Sequence, residues 1–293
     1  MCYEYFENPF TKVLFIYLMR VLVLVIVSFD KPVYYDMLQV WRERVCCRPD
    51  VWFIQCKPDS EWIGDIVNDI GELRIQRSLR HMLLRVSPPF LDSQLEESHS
   101  LEESHSLEES HSLEDRFELD RENKTLYVRG DECLIPGILH KTVEALSFFL
   151  GSGDEYDYVW RTNLSSVLDF AGLQRYLGTI SSKGFYGGYI GLGSLNNGSS
   201  TFFASGAGFL ISRDVAMYLV SNRDSLRWDL IDDVAIGALL EPRFGLMHLE
   251  RCWVQSEQED LVVAKDKGVF HFRCESYQHS RTVEFMRYVS KFV

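Results

Sequence analysis

The strongest constraint on the fold lies near the amino terminus, where a valine-rich run is followed by a proline-opened amphipathic stretch and then a second apolar run. Residues 21–29 end at Asp30, Lys31 and Pro32, and the run reads as a buried first strand passing into a helix. Apolar residues at Val33, Met37, Val40, Trp41 and Val45 then recur at helical spacing, with Pro32 in the place where prolines open helices. Pro49 and Asp50 punctuate before residues 51–56, a second short apolar run suited to a buried strand. Strand, helix and strand in alternation imply an α/β fold with a mostly parallel central sheet and helices on both faces. Ligands of such sheets bind at the carboxyl ends of the strands.

The pattern continues along the chain. Residues 61–86 could hold one or two helices, ended by Pro88 and Pro89. Strands are expected at 125–128, 156–160, 185–193, 201–212, 246–250 and 269–272. Helices are expected from Pro136 to Leu150, over 169–177, 213–220 and 231–240, and after Ser280.

Between these elements Leu-Glu-Glu-Ser-His-Ser repeats three times over residues 95–112. A six-residue period fits neither a helix nor a strand, so residues 87–122 are expected to be a disordered, low-complexity acidic insert within a single domain spanning 1–293. The insert dominates the charge. The formal net charge is −13, and twelve carboxylates against two arginines between Asp92 and Glu122 supply −10 of it. The overall negative charge argues against a nucleic-acid partner, and the chain outside the insert is nearly neutral. Apolar residues at 46% and aromatics at 13% exclude wholesale disorder, a collagen-like chain and a coiled coil.

Seven cysteines without C-x-x-C spacing indicate neither a disulfide framework nor a zinc ribbon, and point to a reducing compartment. Residues 13–29 are apolar except for Arg20 and approach membrane-spanning length. Treating them as a span would remove the first strand, so a membrane association is not expected. The expected location is the cytoplasm, and a Golgi type II protein is the alternative if 13–29 is a signal anchor. Asn123, Asn163 and Asn197 match the N-glycosylation pattern, but a glycan on Asn163 would block the site inferred below.

Four blocks occur in order: Gly130-Asp131-Glu132 through Leu139-His140-Lys141-Thr142; Tyr156 through Trp160-Arg161-Thr162-Asn163; Ser205-Gly206-Ala207-Gly208 through Ser212-Arg213-Asp214; and Ile231-Asp232-Asp233-Val234 through Gly237. Together they resemble nucleotide-sugar glycosyltransferases of the GT-A fold, in particular the β-1,3-galactosyltransferase and Fringe-like group and related enzymes of large DNA viruses. The likeness runs from about Val21 to Phe272, outside the acidic insert.

The resemblance implies transfer of a sugar from a nucleotide-diphosphate donor, such as a UDP-sugar, to a glycan hydroxyl with inversion. It makes Asp233 the general base and Asp232 its orienting or acceptor-binding neighbour. The same pair would also serve simply as acidic residues opening a helix. Donor contacts are expected from Arg161, Thr162 and Asn163 at a strand end, where Asn163 and Ser165 also suit a turn. Further donor contacts are expected from Ser28 and Asp30 after the first strand and from Lys141. The helix-start role of Asp30 and a snorkelling role for Lys141 are the alternatives. Ser205, Gly206 and Gly208 would allow close backbone approach to the sugars, or would mark a bulge.

The resemblance also implies Mn²⁺ or Mg²⁺ on an Asp-any-Asp motif at that strand end. Here the positions read Arg161, Thr162, Asn163 and Leu164, with no carboxylate among them. Three alternatives stay open: fixed cations such as Arg161 and Lys141 neutralise the diphosphate, other groups hold the metal, or donor chemistry has been lost. His271 is a candidate metal ligand, with a structural histidine as its alternative. The repeat histidines His99, His105 and His111 are weaker candidates. A catalytically inactive GT-A domain that binds nucleotide-sugar or glycan is the competing function. A dinucleotide-binding enzyme lacks its glycine fingerprint after Phe29, and a glycosidase lacks a second carboxylate to pair with Asp233.

Overall fold

A computed structural model describes residues 7–8, 11–12, 19–28, 31–46, 48, 50–58, 116–195, 198–255, 261–275 and 279–293. The expected helices of 61–86, the repeat tract with its histidines, Asp30 and residues 13–18 of the apolar run lie outside them. The valine-rich run forms β1 (Val21–Ile26), a wholly buried strand near the middle of an eight-stranded sheet. Its side chains alternate between two cores. Val21, Val23 and Val25 enter one, and Leu22, Leu24 and Ile26 enter the other. A strand apolar on both faces can sit only between two layers.

From β1 the chain passes through α1 (Val33–Val45) to β2 (Val51–Lys57), parallel to β1. It resumes at β3 (Phe117–Asp120) and β4 (Thr125–Arg129). Then α2 (Gly137–Gly151) carries it back across β1 to β5 (Tyr158–Asn163), which pairs in parallel with β1 on the side away from β2. A three-residue strand, β6 (Ser166–Leu168), and α3 (Phe170–Leu177) follow. β7 (Tyr186–Ser194) and β8 (Ser200–Ser212) extend the sheet beyond β5 in antiparallel sense. Next come α4 (Arg213–Ser221), α5 (Asp232–Phe244), β9 (Met247–His248), β10 (Cys252–Val254), α6 (Leu261–Asp266), β11 (His271–Cys274) and α7 (His279–Ser290).

The sheet order is β9-β7-β8-β5-β1-β2-β4-β3, with β10, β11 and β6 as a separate three-stranded sheet. The protein is thus α/β, with a mixed central sheet flanked by helices and a parallel core formed by β5, β1, β2 and β4. Side chains of α1, α3, α7 and the small sheet fill one core, and those of α2, α4 and α5 fill the other.

Three differences from the sequence expectation have physical causes. The strand expected to stop at Trp160 continues to Asn163, because β1 pairs with it as far as Ile26↔Asn163 and β8 pairs at Gly208↔Thr162. The end of the expected insert is ordered: Phe117 is buried, and Phe117–Asp120 is an edge strand on β4. The stretch expected as a strand at 246–250 pairs only at Met247 and His248. No helix among the described residues is long and apolar enough to cross a membrane.

Candidate functional site

The strand order reverses between β1 and β5, since α1 leads from β1 to one side and α2 returns the chain to the other. Two adjacent strands whose connections diverge leave a crevice at their carboxyl ends. A pocket of about 360 Å³ opens there, lined by Ile26 and Ser28 after β1 and by Arg161 and Asn163 of β5. Its far wall is residues 205–207, where β8 bulges away from β7 between Ala204 and Phe209. A bulge turns backbone that would otherwise serve the ladder toward a site. The amino terminus of α5 contributes Asp232 and Asp233, the small sheet contributes Trp253 and Arg273, and the residues flanking its strands contribute Arg251 and Glu275.

Arg161 and Asp232 form a buried ion pair, with Arg161 Nη2 donating to Asp232 Oδ2 at 2.5 Å while Nη1 donates to the Gly206 carbonyl. Gly206 is what permits this: a Cβ there would lie 2.9 Å from Arg161 Nη1 and 3.4 Å from an oxygen of each aspartate. The Gly206 N–H donates to Asp233 Oδ2 at 2.9 Å, and the Val234 N–H donates to Oδ1. Burial, followed by the adjacent Asp232, pushes the Asp233 carboxyl above the usual carboxylate range; those two N–H groups and Arg161 pull it back. Asp232 and Asp233 do open α5, but neither side chain is spent only on capping.

Seven of the residues singled out in the sequence meet in this pocket: Ser28, Arg161, Asn163, Ser205, Gly206, Asp232 and Asp233. Four others are described elsewhere. Lys141 is fully buried, donating to the Val27 carbonyl at 2.6 Å and to Glu132, so it props the end of β1 from below. Thr162 donates to the Ala207 carbonyl at 2.7 Å and holds the base of the bulge. Gly208 admits the Trp160 and His271 rings, which a Cβ would meet at 2.6 and 2.7 Å.

His271 packs edge-on to Trp160, its Nε2 is 3.1 Å from Ser166 Oγ, and burial followed by Arg251 and Arg273 pulls its pKa down to about 3. That is the setting of a neutral core histidine. Among the described residues no three His, Cys, Asp or Glu side chains converge as a metal site. With Asp232 already paired to Arg161, the donor set at the strand end does not fit Mn²⁺ or Mg²⁺, which favour several oxygen ligands including carboxylates.

No protein-family model matches the chain, and no curated protein matches it. Among solved structures it is similar to the crystal structure of a glycosyltransferase involved in the glycosylation of the major capsid of PBCV-1, with 10% identity and a TM-score of 0.41, over 92% of this chain and 99% of that one.

Sequence reasoning missed two arginines, one just before β10 and one on β11. Arg251 donates from Nη1 to Ser205 Oγ at 3.0 Å and lies over the Tyr189 and Trp253 rings at 4.0 and 4.4 Å. Arg273 donates from Nη1 to Asn163 Oδ1 at 2.6 Å and to Ser165 Oγ, and its Nε lies 3.5 Å from Glu275. Arg273 stands two residues beyond His271 on the same short strand, and that period-two spacing was the available signal. Nothing in the sequence marked Arg251.

Proposed function

We propose that the protein is a GT-A-type glycosyltransferase that moves a sugar from a nucleotide-diphosphate donor, such as a UDP-sugar, to a glycan hydroxyl. The observation that carries this is the placement of Asp233, a carboxylate with a raised pKa, in a crevice at the β1–β5 switch point that is also lined by Arg161, Arg251 and Arg273. Nucleotides bind at such switch points because the carboxyl ends of diverging strands leave room for them.

In this reading the acceptor hydroxyl gives its proton to Asp233 as its oxygen bonds to the anomeric carbon. The bond from that carbon to the donor phosphate breaks on the opposite face, and the nucleoside diphosphate leaves with the electron pair, inverting the centre. A raised pKa suits a general base, because it strengthens the acceptance of a hydroxyl proton. Asp232, tied to Arg161, keeps α5 and the bulge in register around the reacting groups.

Incubation of purified protein with UDP- and GDP-sugars, a set of glycan acceptors, and either Mn²⁺ or EDTA tests the proposal through nucleotide release. Release that depends on one donor and on an acceptor is expected. Donor binding with no release under every condition would replace the enzyme with the inactive binding domain.

A further inference from the structure

We infer that Arg251 and Arg273 hold the donor diphosphate, in the place where a divalent cation would serve an Asp-any-Asp enzyme. The inference rests on the donor-binding reading above and deepens it.

The cations expected from the sequence are already spent. Arg161 is committed to Asp232 and the Gly206 carbonyl, and Lys141 to Glu132 and the Val27 carbonyl. Arg251 and Arg273 differ from them. Both line the pocket, Arg251 immediately before β10 and Arg273 on β11. Among the described residues no carboxylate pairs with Arg251. Its hydrogen bond goes to the neutral Ser205 hydroxyl, and its buried Nε, like that of Arg161, has no partner among the described residues.

Arg273 has Glu275 beside Nε, but that side chain is half exposed and the contact is 3.5 Å long. Its stronger bonds are to Asn163 and Ser165, both neutral. Burial and, for Arg251, the proximity of Arg273 both work against their charged forms.

Two guanidinium groups brought together and partly desolvated, with one half-exposed carboxylate, Glu275, beside them and otherwise neutral partners, are stabilised when a further anion joins them. The planar fork of arginine matches phosphate oxygens, and charge-assisted bonds to phosphate are among the stronger ones available. Stacking of Arg251 between Tyr189 and Trp253 fixes its plane before the ligand arrives. Asn163, at the strand end where the missing carboxylates would stand, orients Arg273 through Oδ1.

Calorimetric titration of the full chain with UDP, UMP and inorganic pyrophosphate, in EDTA and again with Mn²⁺, tests this. UDP and pyrophosphate should bind in EDTA, with little change on adding Mn²⁺. Arg251→Gln should weaken both by about ten-fold or more, and UMP by less. Arg273→Gln should act in the same direction. Because Arg273 also braces residues 163–165, a melting curve accompanies it and Arg251→Gln carries the decision.

UDP binding only with Mn²⁺, no binding of UDP or pyrophosphate in either condition, or wild-type affinity in Arg251→Gln would each overturn the inference. The two levels separate cleanly. Arginine-dependent pyrophosphate binding without turnover of any nucleotide-sugar would remove the transferase and keep the clamp. Turnover that requires Mn²⁺ would keep the transferase and remove the clamp.

Discussion

Asp232 and Asp233 are neighbours in sequence whose surroundings divide them: one faces a buried guanidinium, and the other faces two backbone N–H groups and the pocket. The folded pKa of Asp233 lies above its value of 3.8 in an unfolded chain, so the fold holds the proton more tightly. Its contribution to stability is therefore complete below the unfolded value of 3.8 and is lost as pH rises through the folded pKa. Asp233→Asn, uncharged at every pH, should melt no lower than the wild type at pH 7 while losing about 100-fold or more in transfer rate, measured by calorimetry and nucleotide release. Gly206→Ala should act through geometry. Its methyl would displace Arg161, and a loss of about 1–3 kcal/mol in denaturant unfolding is expected, together with slower nucleotide release.

At the scale of elements, α2 is anchored by a buried carboxylate. Glu144 pairs with Arg116, at the start of β3, and with Arg223, just after α4, through its two oxygens. Glu144→Ala would strand two arginines that are only about a third exposed, and about 2–3 kcal/mol of stability should be lost in urea titrations. The elements that could be read from sequence were those with enough residues to display a period. α1 and the two-faced apolar run of β1 are examples, and the helix bounds of α1 coincide with the spacing of Val33 to Val45. Strands of three or four residues such as Ser166–Leu168 and Cys252–Val254 show no period. They are held by pairing with β11, which is distant in sequence, so tertiary contact alone defines them.

At the scale of the molecule, the site was legible where it depends on chain order and illegible where it depends on pairing. Arg161, Asp232 and Asp233 stand in blocks that the sequence brings into a recognisable order. Arg251 reaches the pocket because β10, which follows it directly, joins β11 and β6 in the small sheet, and β6 follows the end of β5. Lys141 was misplaced because helix position does not reveal that Glu132 and the Val27 carbonyl wait at its tip.

His271 links this packing to pH. Its folded pKa of about 3 lies below the unfolded value of 6.5, so the unfolded chain takes up a proton that the fold refuses. Stability should be complete above about pH 6.5 and fall toward pH 3 at up to about 1.4 kcal/mol per pH unit. His271→Gln should flatten that slope in urea midpoints measured at pH 7 and 5. Removal of residues 95–112 should leave UDP affinity unchanged in the same calorimetric assay, since the chain leaves the sheet after β2 and returns at the edge strand β3, whereas the pocket lies between β1 and β5.

The most direct measurement is the pH dependence of kcat/KM for acceptor-dependent nucleotide release, compared between wild type and Asp233→Asn. With Asp233 as the base, the wild-type rate rises with pH to a plateau through an inflection above the usual carboxylate range, and the variant loses both the inflection and about 100-fold or more of the rate. A variant that keeps the wild-type rate and the same inflection would contradict it.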